Sequence, residues 1–70
     1  MTIFMHLGNQ IIERAFVRTG IVLFRVYRSD DGGETRDLVE AGDLPASWAD
    51  FEVTDQESLD ALLAALALNQ

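Results

Sequence analysis

The chain has no cysteine and no lysine, one histidine and one proline. Each shortage closes a class of function. Without cysteine there is no disulfide framework and no thiolate metal ligand. His6 is the lone imidazole, so a structural zinc site lacks donors, and no metal or other cofactor is expected. Serines at positions 29, 47 and 58 cannot be built into a Ser-His-Asp arrangement around that single histidine. No Walker A or G-x-G-x-x-G sequence is present to cradle a phosphate. The longest apolar run, residues 61–68, falls far short of the roughly 20 residues that span a bilayer. No charged segment precedes a hydrophobic stretch at the start, so no signal peptide is expected and the chain reads as cytoplasmic. With no chemistry-bearing constellation, an enzyme is not expected.

What remains is a 70-residue chain that is 49% apolar, enough for one packed domain over residues 1–70. Domains of this size bury only about 60% of their unfolded surface, and many add disulfides, a metal or a second subunit. The first two are missing here, so association, for instance as a homodimer, is the expected support.

Charge is divided along the chain. Residues 1–28 carry Arg14, Arg18, Arg25 and Arg28 against Glu13, a net +3. Residues 29–70 carry eleven carboxylates against Arg36, a net −10, and the whole chain stands at −7. Such a surface repels nucleic acid and anionic lipid and attracts basic protein surfaces. The arginines interleave with Phe16, Phe24 and Tyr27, which resembles a base-stacking surface in composition only, and the overall acidity opposes direct nucleic-acid binding.

The pattern predicts an α+β fold: a small antiparallel sheet of three or four strands with a C-terminal amphipathic helix packed on it. Leu59, Leu62, Leu66 and Leu63 make one stripe of a helix over 55–68, with Thr54 and Glu57 in capping-box positions. Residues 21–28 are rich in β-branched and aromatic side chains and read as a strand. Residues 29–33, SDDGG, form a turn, and 35–40 return, which gives a hairpin over 21–40. Asp43 is placed to cap a helical turn over 45–50. Residues 2–7 read as a strand. Residues 10–19 allow either a helix or a strand: the helix separates polar from apolar more cleanly, whereas the β-branched content tips the balance to a strand.

Two surfaces stand out. Asp30, Asp31, Glu34, Asp37, Glu40, Asp43, Asp50 and Glu52, with Trp48 among them, form the candidate partner-binding set. Brought to one face, these acids would imitate a phosphate backbone and occupy a basic groove, with fast, salt-sensitive steering. Trp48 reads either as core or as an interface anchor. The loop acids of 30–34 also suit an oxygen-only cation site in type but lack its spacing, so a solvated turn is the simpler reading. The back of the helix carries no charge after Asp60, which makes Ala61, Ala64, Ala65 and Leu68 the candidate oligomer interface. The expected function is a non-enzymatic protein-binding module. One concrete form is a phage- or mobile-element-type inhibitor, of anti-CRISPR or anti-restriction style, that blocks a nucleic-acid enzyme. The alternative is a structural homo-oligomer or assembly subunit joined through the C-terminal helix.

Overall fold

The computed structural model describes residues 2–68, and in it residues 10–18 form a strand, not a helix. Four strands run β1 (Thr2–Leu7), β2 (Gln10–Arg18), β3 (Ile21–Arg28) and β4 (Asp37–Pro45). They pair antiparallel in the order β1-β2-β3-β4. A 3-10 turn at Ala46–Trp48 leads to the single helix α1 (Gln56–Leu68). The α+β expectation is therefore met, with four strands. Among the described residues, no helix is long and apolar enough to cross a membrane.

The sequence of β2 is ambiguous because Arg14 shares a face with Ile12 and Phe16. The structure shows how that face stays apolar. Arg14 is buried, and its Nη1 donates to the Phe51 carbonyl at 2.8 Å. The guanidinium thus fastens the segment before the helix to the sheet. A buried cation is costly unless hydrogen-bonded, and here Nε finds no partner.

Turn chemistry sets the hairpins. Leu7 pairs with Gln10 across Gly8-Asn9, and Gly8 sits at φ 59°. Positive φ at the first central residue alone is the type II′ form, whose twist suits a hairpin. In β4 the predicted return strand over 35–40 is corrected. The strand begins at Asp37 and continues through Gly42 to Pro45. It does so because Gly42 lies opposite Phe24 and Leu44 opposite Val22, which keeps Leu44 in the core. A bulge leaves Val39 without a partner, between Glu40 opposite Val26 and Leu38 opposite Tyr27.

The core lies between one sheet face and α1. Ile12, Val22, Phe24, Val26 and Leu44 meet Leu59, Leu62 and Leu66, with Val53 closing one end. Burial of these apolar side chains is the main stabilising term, about 1.5–3 kcal/mol for each large one. Trp48 and Phe51 pack against this cluster with ring centres 4.8 Å apart and planes tilted by 52°.

Two capping assignments are corrected. The N-cap of α1 is Asp55, one residue later than Thr54. The Ser58 amide donates to Asp55 Oδ1 at 2.8 Å, and the Asp55 amide donates to Ser58 Oγ at 3.1 Å. This is the reciprocal capping arrangement with serine in place of glutamate, so Glu57 takes no part. The 3-10 turn has Pro45 at its cap and no side-chain cap, so Asp43 does not serve there.

Candidate functional site: an acidic edge beside an open sheet face

The helix covers only one face of the sheet. Strand register places three rows of side chains on the other. They run Thr2–Ala15–Leu23–Asp43, Phe4–Glu13–Arg25–Ala41 and His6–Ile11–Tyr27–Leu38. Phe4 and Leu38 are exposed, while Ile11 and Ala15 are buried. The β3–β4 loop folds close over Ile11: a Cβ built on Gly33 would stand 3.4 Å from Ile11 Cδ1.

Arg36 lies over the rows. Its guanidinium carbon stands 5.4 Å from the Phe4 ring centre and 5.7 Å from that of Tyr27, and its Nε donates to the Gly33 carbonyl at 3.1 Å. Beneath it, Glu13 Oε1 accepts from Arg25 Nη1 at 3.2 Å and from Tyr27 Oη at 3.0 Å. Burial raises the Tyr27 phenol above its usual pKa, and the bond to Glu13 raises it further. The hydrogen bond and charge of Glu13 likewise raise Arg25.

The loop over 29–36 is built around Asp31. Its carboxylate accepts from Ser29 Oγ at 2.8 Å, from the Thr35 amide at 2.9 and 3.0 Å, and from Thr35 Oγ1. These donors, the Thr35 hydroxyl first, pull its pKa down to about 2. Asn9 Nδ2 donates to Asp30 Oδ1 at 3.3 Å, tying the loop to the β1–β2 turn. A cleft of about 330 Å³ opens between turn and loop, with His6, Asn9 and Asp30 on its walls.

The candidate acids do not gather on one sheet face. Asp30, Asp31 and Glu34 lie in the loop at one end. Register puts Asp37 and Glu40 on the helix side of β4 and Asp43 on the open side. Asp50 and Glu52 are exposed on the link to α1, where the carbonyl of Phe51 accepts from Arg14 of β2 and the amide of Val53 reaches Met5 of β1, so Glu52 lies on the far side of the sheet from β4. Only Asp37, Glu40 and Asp43 form a line, along the outer strand β4, while Asp30 stands beside the β1–β2 turn through its bond from Asn9. At about 3.3 Å per residue, Asp37 to Asp43 spans about 20 Å. Among the described residues, Asp30, Glu34, Asp37 and Asp43 form no ion pair. Asp31 is committed to its loop, and Trp48 is half-buried against the core.

On the helix, Ala61, Ala64 and Leu68 are exposed, Leu68 by 86%. Ala65 is different: it packs against the core and does not share their outer face. Sequence reasoning missed the open face with Phe4, Leu23, Tyr27, Leu38 and Arg36. The signal available was the alternation in β1 and β3, which leaves apolar residues on both sides.

Among the described residues, no three histidine or carboxylate side chains converge as a metal ion would require. Compared with known protein families, curated proteins and solved structures, the chain matches none.

Proposed function

We propose that this chain is a non-enzymatic protein-binding module that presents the acidic edge of β4 to a basic protein surface. The observation that carries the reading is the run of carboxylates along the outer strand β4, of which Asp37 and Asp43, among the described residues, form no ion pair. An edge strand with its flanking loop is a narrow ridge. A ridge of fixed negative charge fits a groove lined by arginine and lysine better than it fits a flat surface. The groove of a nucleic-acid-binding enzyme has that shape and charge, since it must neutralise a phosphate chain. The module would act there as a competitive inhibitor, with its edge in the place of the nucleic acid.

The test is competition. Proteins held by the immobilised chain are challenged with duplex DNA, with RNA and with rising salt. Release of a basic protein by nucleic acid supports the reading. Retention that ignores both nucleic acid and salt contradicts it.

A second reading, a structural homo-oligomer through α1, draws on the exposed Leu68 beside Ala61 and Ala64. Ala64→Glu separates the two readings: it would abolish association through the helix and leave binding by the β4 edge intact.

A further inference from the structure

The two edges of the sheet are built differently. β4 is bulged at Val39, carries Asp37, Glu40 and Asp43, and ends on Pro45. Bulges, charges and proline are the features that keep an edge strand from pairing with another chain. β1 has none of them. It reads TIFMHL, without glycine, proline, arginine or carboxylate, and its register with β2 is unbroken from Thr2 to Leu7.

The Gly8-Asn9 turn determines which backbone groups of β1 face outward. The bond that closes the turn makes Leu7 and Gln10 a hydrogen-bonded pair. Bonded and non-bonded pairs alternate along an antiparallel ladder. Met5–Ile12 and Ile3–Arg14 are then the bonded pairs, and Thr2, Phe4 and His6 direct their N–H and C=O groups to the free edge.

We propose that a second copy of this chain adds to that edge, β1 against β1, antiparallel about a two-fold axis at Phe4. In this register Phe4 faces the partner's Phe4 and Thr2 faces the partner's His6. Every outward N–H and C=O of these three residues then finds a partner. The side chains match as well. Phe4, which is 46% exposed, continues the open face across the axis, and Ile3 meets the partner's Met5 on the helix side. Both helices lie on one side of an eight-stranded sheet.

Charge decides which edge a second copy uses. Each copy carries −7, so two copies repel least through a strand that carries no carboxylate of its own, as β1 does, with the three acids of β4 kept apart. β4 lies three strand spacings from β1, about 14 Å, beyond the screening length of about 8 Å at physiological ionic strength. Pairing through β1 leaves the two acidic edges at opposite ends of the joint sheet. Pairing that used β4 would set carboxylates and the Val39 bulge against the incoming strand. The two-fold contact is isologous and consumes both β1 edges, so assembly stops at two copies.

The test is the mass in solution of the whole chain by light scattering or sedimentation, combined with amide hydrogen exchange. Twice the 7.8 kDa of one chain is expected, with slow exchange at the Phe4 and His6 amides. Phe4→Lys sets two lysines opposite each other on the axis and should give the mass of one chain with an unchanged circular dichroism spectrum. Should Phe4→Lys fail to fold, the exchange of the wild-type Phe4 and His6 amides decides. A wild type of 7.8 kDa at every concentration overturns the proposal. So does a two-chain mass with fast exchange at Phe4 and His6, or one that survives Phe4→Lys and is lost in Ala64→Glu. None of these results bears on binding by the β4 edge, which the competition experiment reads separately.

Discussion

The guanidinium of Arg36 lies 5.4 Å from the centre of the Phe4 ring, and this contact joins the two edges of the sheet across its open face. Arg36 starts from the mouth of β4, while Phe4 sits in β1, the strand farthest from it. Tyr27 lies between them, 5.7 Å from the same guanidinium. The only cation among residues 29–70 is therefore turned inward over the sheet and does not neutralise the carboxylates along β4.

Replacement of Arg36 by alanine should loosen the loop. Cation–π contacts at exposed sites contribute about 0.5–1 kcal/mol each. Arg36→Ala should therefore cost about 1 kcal/mol in urea unfolding and speed amide exchange around Gly33. Equal stability and equal exchange would show that the loop holds itself without Arg36.

Acid should release the loop through Asp31. Its carboxyl is held at about 2 in the folded chain, below its unfolded value of about 3.9. A depressed folded pKa contributes stability that is complete above the unfolded value and is lost as pH falls through the folded one. The loss should run from about pH 4 to about pH 2. Asp55, also lowered by the Ser58 amide and hydroxyl, adds in the same direction. Asp31→Asn should be less stable than wild type at neutral pH and should lose less on acidification. Parallel stability curves for the two proteins would contradict this role.

The single tyrosine gives an optical readout of the open face. Tyr27 should ionise above the ordinary value of about 10, chiefly through burial. In Glu13→Gln the titration should move down but stop above that value, because burial remains. The same group makes a stability contribution that is present below its unfolded pKa and lost as pH rises through the folded one. A midpoint unchanged by Glu13→Gln would remove Glu13 from the account.

The helix start separates two neighbouring residues. Ser58 Oγ accepts from the Thr54 and Asp55 amides at 2.9 and 3.1 Å. Ser58→Ala should cost about 1 kcal/mol, the usual net value of such a bond. Thr54→Ala should stay within about 0.5 kcal/mol, as surface changes do. The reverse order, read from thermal midpoints, would restore Thr54 as the cap.

Much of the fold was legible in the sequence. The leucine stripe of α1 and the β-branched run of β3 have clear periods, and both elements stand where those periods place them. β2 resisted because Arg14 breaks the alternation, and only the Phe51 carbonyl, far along the chain, makes its burial tolerable. The capping-box pattern points to Thr54, one residue before the true cap, because Ser58, not Glu57, closes the box. The site was less legible. The acids are evident in the composition, but their arrangement as a line along an edge depends on β4 being the outer strand. Nothing local distinguishes Asp31, bound into its loop, from Asp30 beside it.

The central claim is that the carboxylates of the β4 edge do the binding. The most direct measurement compares wild type with the combined Asp37→Lys, Glu40→Lys and Asp43→Lys variant for retention of basic nucleic-acid-binding proteins at physiological salt. Circular dichroism confirms that both are folded. The account predicts loss of retention in the folded variant and restoration of nucleic-acid binding to the released protein. Equal retention by the folded variant would contradict it.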